Sequence, residues 1–283
     1  MYLSTVLGNL LIILLIRLDP CLQTTMYLFL SHLALTDISF SSVTVPKMLT
    51  NMQTQDQSIP YAGCVTPTFF MFFACIDNLL LAAMAYVWYV AICHPLHYTI
   101  IMKEELCLCL LASPCLLSCA DALTYTLPLA QLSSCADNII PHFFCDLAAL
   151  LKLSCSDTTL NELVILIVGP AVFTFPLISL LVSYSCIGVS ILRNPSTKRM
   201  CKALSTCGSQ FSVVTLCYGT MMAVYFSSSS DQSHDKDIIA SVMYTVVTPM
   251  LNPFIYSLRN RDITLALGKL FRNNNLFFQV RIT

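Results

Sequence analysis

The chain has 283 residues, 57% of them hydrophobic and only 10% charged, with a net charge of −1 and a mean hydropathy of +0.75. A soluble globule cannot hide that much apolar surface, so the composition places the chain in a bilayer. Nothing in the charge balance suggests a nucleic-acid partner.

Seven apolar windows follow one another, near residues 2–16, 27–49, 65–92, 106–130, 160–192, 203–226 and 238–258. A hydrocarbon core ~30 Å thick needs roughly 20 helical residues. The runs are continuous, whereas barrel strands alternate in polarity over ~10 residues, so helices are predicted. The first window is short: its 16 residues before Arg17 would rise roughly 24 Å, which predicts a first helix truncated at its N-terminus or a longer form beginning upstream. No cleavable signal pattern precedes it, and no Asn-x-Ser/Thr sequon is found. Pro114, Pro170, Pro176, Pro249 and Pro253 fall within spans, where they remove helix hydrogen bonds and introduce kinks.

Orientation follows from the cations. Arg17, Lys103, Arg193, Lys198, Arg199, Lys202, Arg259, Arg261, Lys269, Arg272 and Arg281 fall in the odd connections and the tail. Only Lys47, Lys152 and Lys236 fall on the other side. The positive-inside bias therefore predicts an extracellular N-terminus and a cytoplasmic C-terminus.

Of 15 cysteines, Cys64, Cys135, Cys145 and Cys155 lie on the outer, oxidising side, where four thiols allow three pairings that spacing alone leaves open. "CLC" at 107–109 and "HPLH" at 94–97 do not have the spacing of a zinc site. Ionisable groups inside spans are costly and hence candidates for function. Asp37 and Asp77, with Asn9 and Asn252, are expected to form one polar cluster, either a hydrogen-bonded structural pair or a site for water or a sodium ion at Asp37 and Asp77. Asp121, near the outer end of the fourth span, is expected to be wetted.

The segments "LGNLLIIL", "MYLFLSHLALTDISFSSVTVPKML", "MAYVWYVAICHPLHY", "PHFFCDLAALLKLSCSDT", "SYSCIGVSIL", "KALSTCGSQFSVVTLCYGT" and "PMLNPFIYSLRN" occur in order over nearly the whole chain. Together they resemble the class II odorant receptors, within the rhodopsin-like G-protein-coupled receptors. The resemblance implies one all-α membrane domain over residues 1–283, a bundle of seven transmembrane helices with a short cytoplasmic C-terminal helix, at the plasma membrane. It implies bridges Cys64–Cys145 and Cys135–Cys155, no cofactor, and coupling to a heterotrimeric, stimulatory olfactory-type G protein. It also implies a pocket for a small volatile odorant, walled by Phe70, Met71, Ala74 and Cys75 on the third helix and Val168 and Val172 on the fifth. Tyr218, Met221, Met222 and Tyr225 would contribute from the sixth, and Thr245 from the seventh. The positions 71, 74, 75 and 218, 221, 222, 225 each fall on one helical face. A wall so poor in charge argues for a largely apolar ligand, oriented by Tyr218, Tyr225 or Thr245.

The family's G-protein switch maps to Val87, Trp88 and Tyr89, with Tyr184 and Tyr256. Here the sequence departs from the pattern, because Asp-Arg is usual where Val87-Trp88 stands. Replacing both members of a charged pair by apolar residues can leave a fold intact, so the expectation is a stable receptor with impaired coupling. Pro114 stands about where the family has Trp, and the chain is one residue short between Cys64 and Asp77, which would rotate the preceding turns by ~100°. The alternative readings are a non-signalling receptor remnant and a membrane transporter. A transporter would show repeated halves and an intramembrane enzyme a catalytic constellation; neither pattern is visible in the sequence.

Overall fold

A computed structural model of the chain describes residues 1–53, 58–60, 66–130, 139–141, 159–193, 208, 211–216, 218–219 and 242–280. The helices are α1 (Tyr2–Leu18), α2 (Thr25–Gln53), α3 (Thr66–Cys93), α4 (Tyr98–Ile101), α5 (Glu104–Ala130), α6 (Thr159–Arg193), α7 (Thr248–Arg259) and α8 (Arg261–Val280). Among the described residues, four stretches are long and apolar enough to cross a membrane: Thr25–Pro46, Phe72–Cys93, Glu104–Thr124 and Leu166–Arg193. The α1 helix, Tyr2–Leu18, is apolar and 17 residues long. On α6, Phe175, Ile178, Leu181 and Val182 are all exposed. Their spacing makes one stripe, which lipid chains rather than water would cover.

The chain divides into two compact units, residues 1–38 with 190–283, and residues 39–189. In the first unit α1 packs on α7. Gly8 makes this approach close, because a Cβ there would sit 3.0 Å from Cβ and 3.2 Å from Cγ of Pro253. A wide turn of π-helix, Met243–Val247, leads into α7. Pro249 has no N–H to continue the regular ladder, which is the ordinary cause of such a bulge. Asn260 ends α7 and caps α8: its Oδ1 accepts from the backbone N–H of Asp262 at 3.0 Å. The Tyr27 hydroxyl, near the start of α2, reaches the same Asn260 Oδ1 at 3.3 Å and Asp262 Oδ2 at 3.1 Å. Ile263 and Ala266 form the buried face of α8, and Lys269 from its exposed face meets Asp19 at 2.9 Å.

In the second unit α3 and α5 pack along each other, joined by the turn at His94–His97, α4 and Met102–Lys103. Glu104 and Glu105 in the first turn of α5 suit the positive end of its dipole. Sequence reading foresaw only helices. The structure adds a two-stranded antiparallel ladder, β1 (Ser58–Pro60) on β2 (Ile139–Pro141), with Ile59 opposite Ile140. Proline at the end of each strand cannot donate to the ladder, which helps keep it to three residues.

Candidate functional site

The polar cluster of the first unit grows out of a defect in α7. Pro253 lacks an N–H, so the carbonyl of Pro249, one turn earlier, loses its helix partner. Asn9 of α1 supplies one: its Nδ2 donates to Pro249 O at 3.2 Å and to Thr5 O at 3.1 Å. One residue before Pro253, Asn252 turns its Nδ2 to the carboxyl group of Asp37 on α2, at 2.9 Å to Oδ2 and 3.2 Å to Oδ1. Asn9 and Asp37 are each 1% exposed and Asn252 4%. Of the four residues grouped from the sequence, Asp37 and Asn252 are bonded to each other, while Asn9 bonds to the Pro249 and Thr5 carbonyls and to neither of them. The buried Asn252 Oδ1 has no partner, and it offers, with the Asp37 oxygens, the hard donors that sodium or a water molecule would use. Asp77 belongs to the other unit, half-buried on α3.

At the C-terminal end of α3 the two residues of the altered switch take different positions. Val87 is 1% exposed, while Trp88 and Tyr89 are half-buried. The Tyr89 hydroxyl lies 3.2 Å from His94 Nε2, and the rings meet edge to face at 5.5 Å. The Cys93 thiol donates to the Cys186 carbonyl of α6 at 3.7 Å, so this end of α3 is tied to α6, where Tyr184 is half-buried.

Between α3 and α5 the structure corrects one expectation. Asp121 is buried rather than wetted: it is 6% exposed, and neither carboxyl oxygen has a hydrogen-bond partner. It sits one turn from Ser118, on the face of α5 packed against α3. Ser118 is fully buried, and the Cys75 thiol lies beside Ser118 and within electrostatic reach of Asp121. Distance along the sequence from the end of a span misled here, because it does not say which helix face is covered. Sequence reasoning also missed Asn78, 2% exposed, whose Nδ2 donates to Ala74 O at 2.7 Å; its place among apolar residues in "ACIDNLLL" was the available signal.

Of the predicted pocket wall, Ala74 and Cys75 are buried and Val168, Val172 and Tyr218 half-buried. Met221, Met222 and Tyr225 lie outside the described residues, as do Cys64, Cys135, Cys145 and Cys155. The side chains of Phe70, Met71, Thr245 and Tyr256 are outside them as well. Among the described residues, no group of three or more His, Cys, Asp or Glu could hold a metal ion.

The arrangement of helices is that of squid rhodopsin, with a TM-score of 0.74 over 96% of this chain and 82% of that one, at 16% identity. The fold is therefore a rhodopsin-type bundle of helices. A sequence profile of the olfactory receptor family matches residues 1–274. Olfactory receptor 1J4 of Homo sapiens is 69% identical over 280 residues, which cover 99% of this chain and 90% of that receptor. Olfactory receptor 1J21 of Mus musculus is 64% identical over 270 residues, 95% of this chain and 86% of that receptor. The chain belongs to the olfactory receptor family. As such it is a multi-pass plasma-membrane receptor that senses odorants, not an enzyme, and its partners by family are odorants and G proteins.

Proposed function

We propose that this receptor binds small, mostly apolar volatiles through the residues marked in the sequence on its third, fifth, sixth and seventh spans, and that it couples only weakly to a stimulatory olfactory-type G protein. The cation bias supports a cytoplasmic C-terminus, at the face where that G protein would dock. The observation that carries the coupling half is the burial of Val87 beside a half-buried Trp88. Val87 offers no hydrogen bond, and Trp88 offers a single N–H donor where arginine would present five. An apolar pair packed at this end of α3 is neither a latch that charge can release nor a fork for a G protein's backbone carbonyls.

Cyclic AMP in cells expressing the chain, normalised to surface protein and read across an odorant panel, tests this. The unaltered receptor should respond weakly or not at all, and Val87→Asp with Trp88→Arg should restore at least part of the response. Val87→Asp alone should lower surface expression, since it buries an unpaired charge. A full response from the unaltered chain at matched surface level would refute the reading.

A further inference from the structure

Asp121, Ser118 and Cys75 form a buried polar group that the proposed apolar pocket does not explain. Asp121 Oδ1 and Oδ2 are sealed from solvent with no hydrogen-bond partner, and Ser118 Oγ, equally sealed, has only the Cys75 thiol beside it, which leaves its lone pairs open to a donor. A carboxyl group in that state raises the energy of the folded protein, and any ligand that brings donors to it offsets the cost. The oxygens are held on adjacent turns of α5, beside Cys75, which the family resemblance places in the wall of the odorant pocket.

We infer that Asp121 and Ser118, beside Cys75, form a polar subsite between α3 and α5 that selects ligands carrying a primary amine. The inference rests on the reading of the bundle as the odorant pocket and names the ligand class that pocket would prefer. The number of donors decides the class. A primary ammonium carries three N–H donors for three oxygens; an alcohol carries one, and a quaternary ammonium has charge but no donor. A metal ion would require six or more oxygen ligands or a cluster of softer ones, and the described residues hold no such cluster. Ammonium with carboxylate, or amine with carboxylic acid, is neutral overall, so the span takes up no net charge in either proton arrangement. Because solvent does not reach the oxygens, the amine enters as α3 and α5 part around Asp121. Ligand binding thereby favours an opened arrangement of the unit, as any ligand favours the state it binds best.

The test uses the full-length receptor, purified in lipid nanodiscs, with its thermal midpoint followed as n-hexylamine, hexan-1-ol or hexyltrimethylammonium is titrated. Binding is read directly, so weak coupling does not obscure it. Hexylamine should stabilise the unaltered receptor. Asp121→Asn, which keeps the shape but presents its own N–H donors, should raise the apparent Kd for hexylamine on the order of 10- to 100-fold, and Ser118→Ala by a smaller factor. Either change should weaken binding of hexan-1-ol, which brings a single donor, by a much smaller factor than that of hexylamine. If hexylamine binds equally well to Asp121→Asn, or if the quaternary ion matches it and shows the same loss, the subsite is wrong. If hexan-1-ol stabilises the receptor and hexylamine does not, the subsite falls while the apolar pocket stands; if no ligand stabilises it, both fall.

Discussion

In the unit made of residues 1–38 and 190–283, buried amide and carboxyl groups reach partners far away in the chain: Asn9 with Pro249, Asp37 with Asn252, Tyr27 with Asn260. In the unit of residues 39–189, Asn78 bonds only within its own helix, Ser118 has only the Cys75 thiol beside it, and the Asp121 carboxyl has no hydrogen-bond partner. Hydrophobicity alone would pack either pair of helices in several registers, and lipid offers little to choose between them. Paired polar groups specify one register, so they hold α1, α2 and α7 in place. Unpaired ones do the reverse: they lower the cost of rearrangement and leave oxygens for a ligand. On this view, the first unit fixes a frame and leaves one buried oxygen, Asn252 Oδ1, unpartnered, while the second leaves a whole carboxyl group, Asp121, unsatisfied in its interior.

The largest effect should come from breaking the frame. Asn252→Leu leaves the Asp37 carboxyl buried without a donor, and it should cost about 3 kcal/mol, read as a lower thermal midpoint and poor surface delivery. The matching change in the other unit should have the opposite sign. Asp121→Leu removes an unsatisfied carboxyl group and fills its place with apolar volume, so the midpoint should rise by the equivalent of about 1–2 kcal/mol. If both substitutions lower stability alike, the contrast between the units is not real.

A smaller shift would sharpen the view of the first unit. If sodium shares the Asp37 oxygens with the unpartnered Asn252 Oδ1, exchanging sodium for N-methyl-D-glucamine should lower the midpoint by a few degrees, through loss of a ligand that binds only the folded state. Equal midpoints in the two cations would leave a hydrogen-bonded pair and no ion.

The smallest effect concerns the exposed tether of α8. The Lys269 hydrogen bond, and then the Cys21 N–H, lower the Asp19 carboxyl below its ordinary value of 3.8; the Asp19 hydrogen bond raises Lys269 above 10.5. A lowered acid contributes above its unfolded value and is lost as the pH falls through its folded one, whereas a raised base contributes below its unfolded value and is lost at higher pH. The tether should therefore be complete between pH 3.8 and 10.5 and weaken outside that window. Since Lys269 is 53% exposed, Asp19→Asn should speed hydrogen exchange over residues 261–272 without a resolvable change in midpoint.

Much of this protein could be read from its residues. Continuous apolar runs have one stable form in a bilayer, so the spans at 27–49, 65–92 and 106–130 appear as α2, α3 and α5 within a few residues. The Asp37–Asn252 pair was within reach of the sequence because a polar side chain in a lipid-spanning helix must find a partner and few were available, whereas the partner of Asn9, the Pro249 carbonyl, was not. The Val87-Trp88 replacement was legible because it interrupts an otherwise intact motif. What sequence did not decide was which face each helix buries. Asp121 sits near a span's end in the chain yet faces α3 across a sealed contact, and Cys75 lies beside Ser118. The β1–β2 ladder likewise joins residues some 80 positions apart. A helix's apolar character is local and written along the chain, but its rotation is set by the shapes of two helices meeting. Where every face is apolar there is no amphipathic stripe to reveal that rotation in advance.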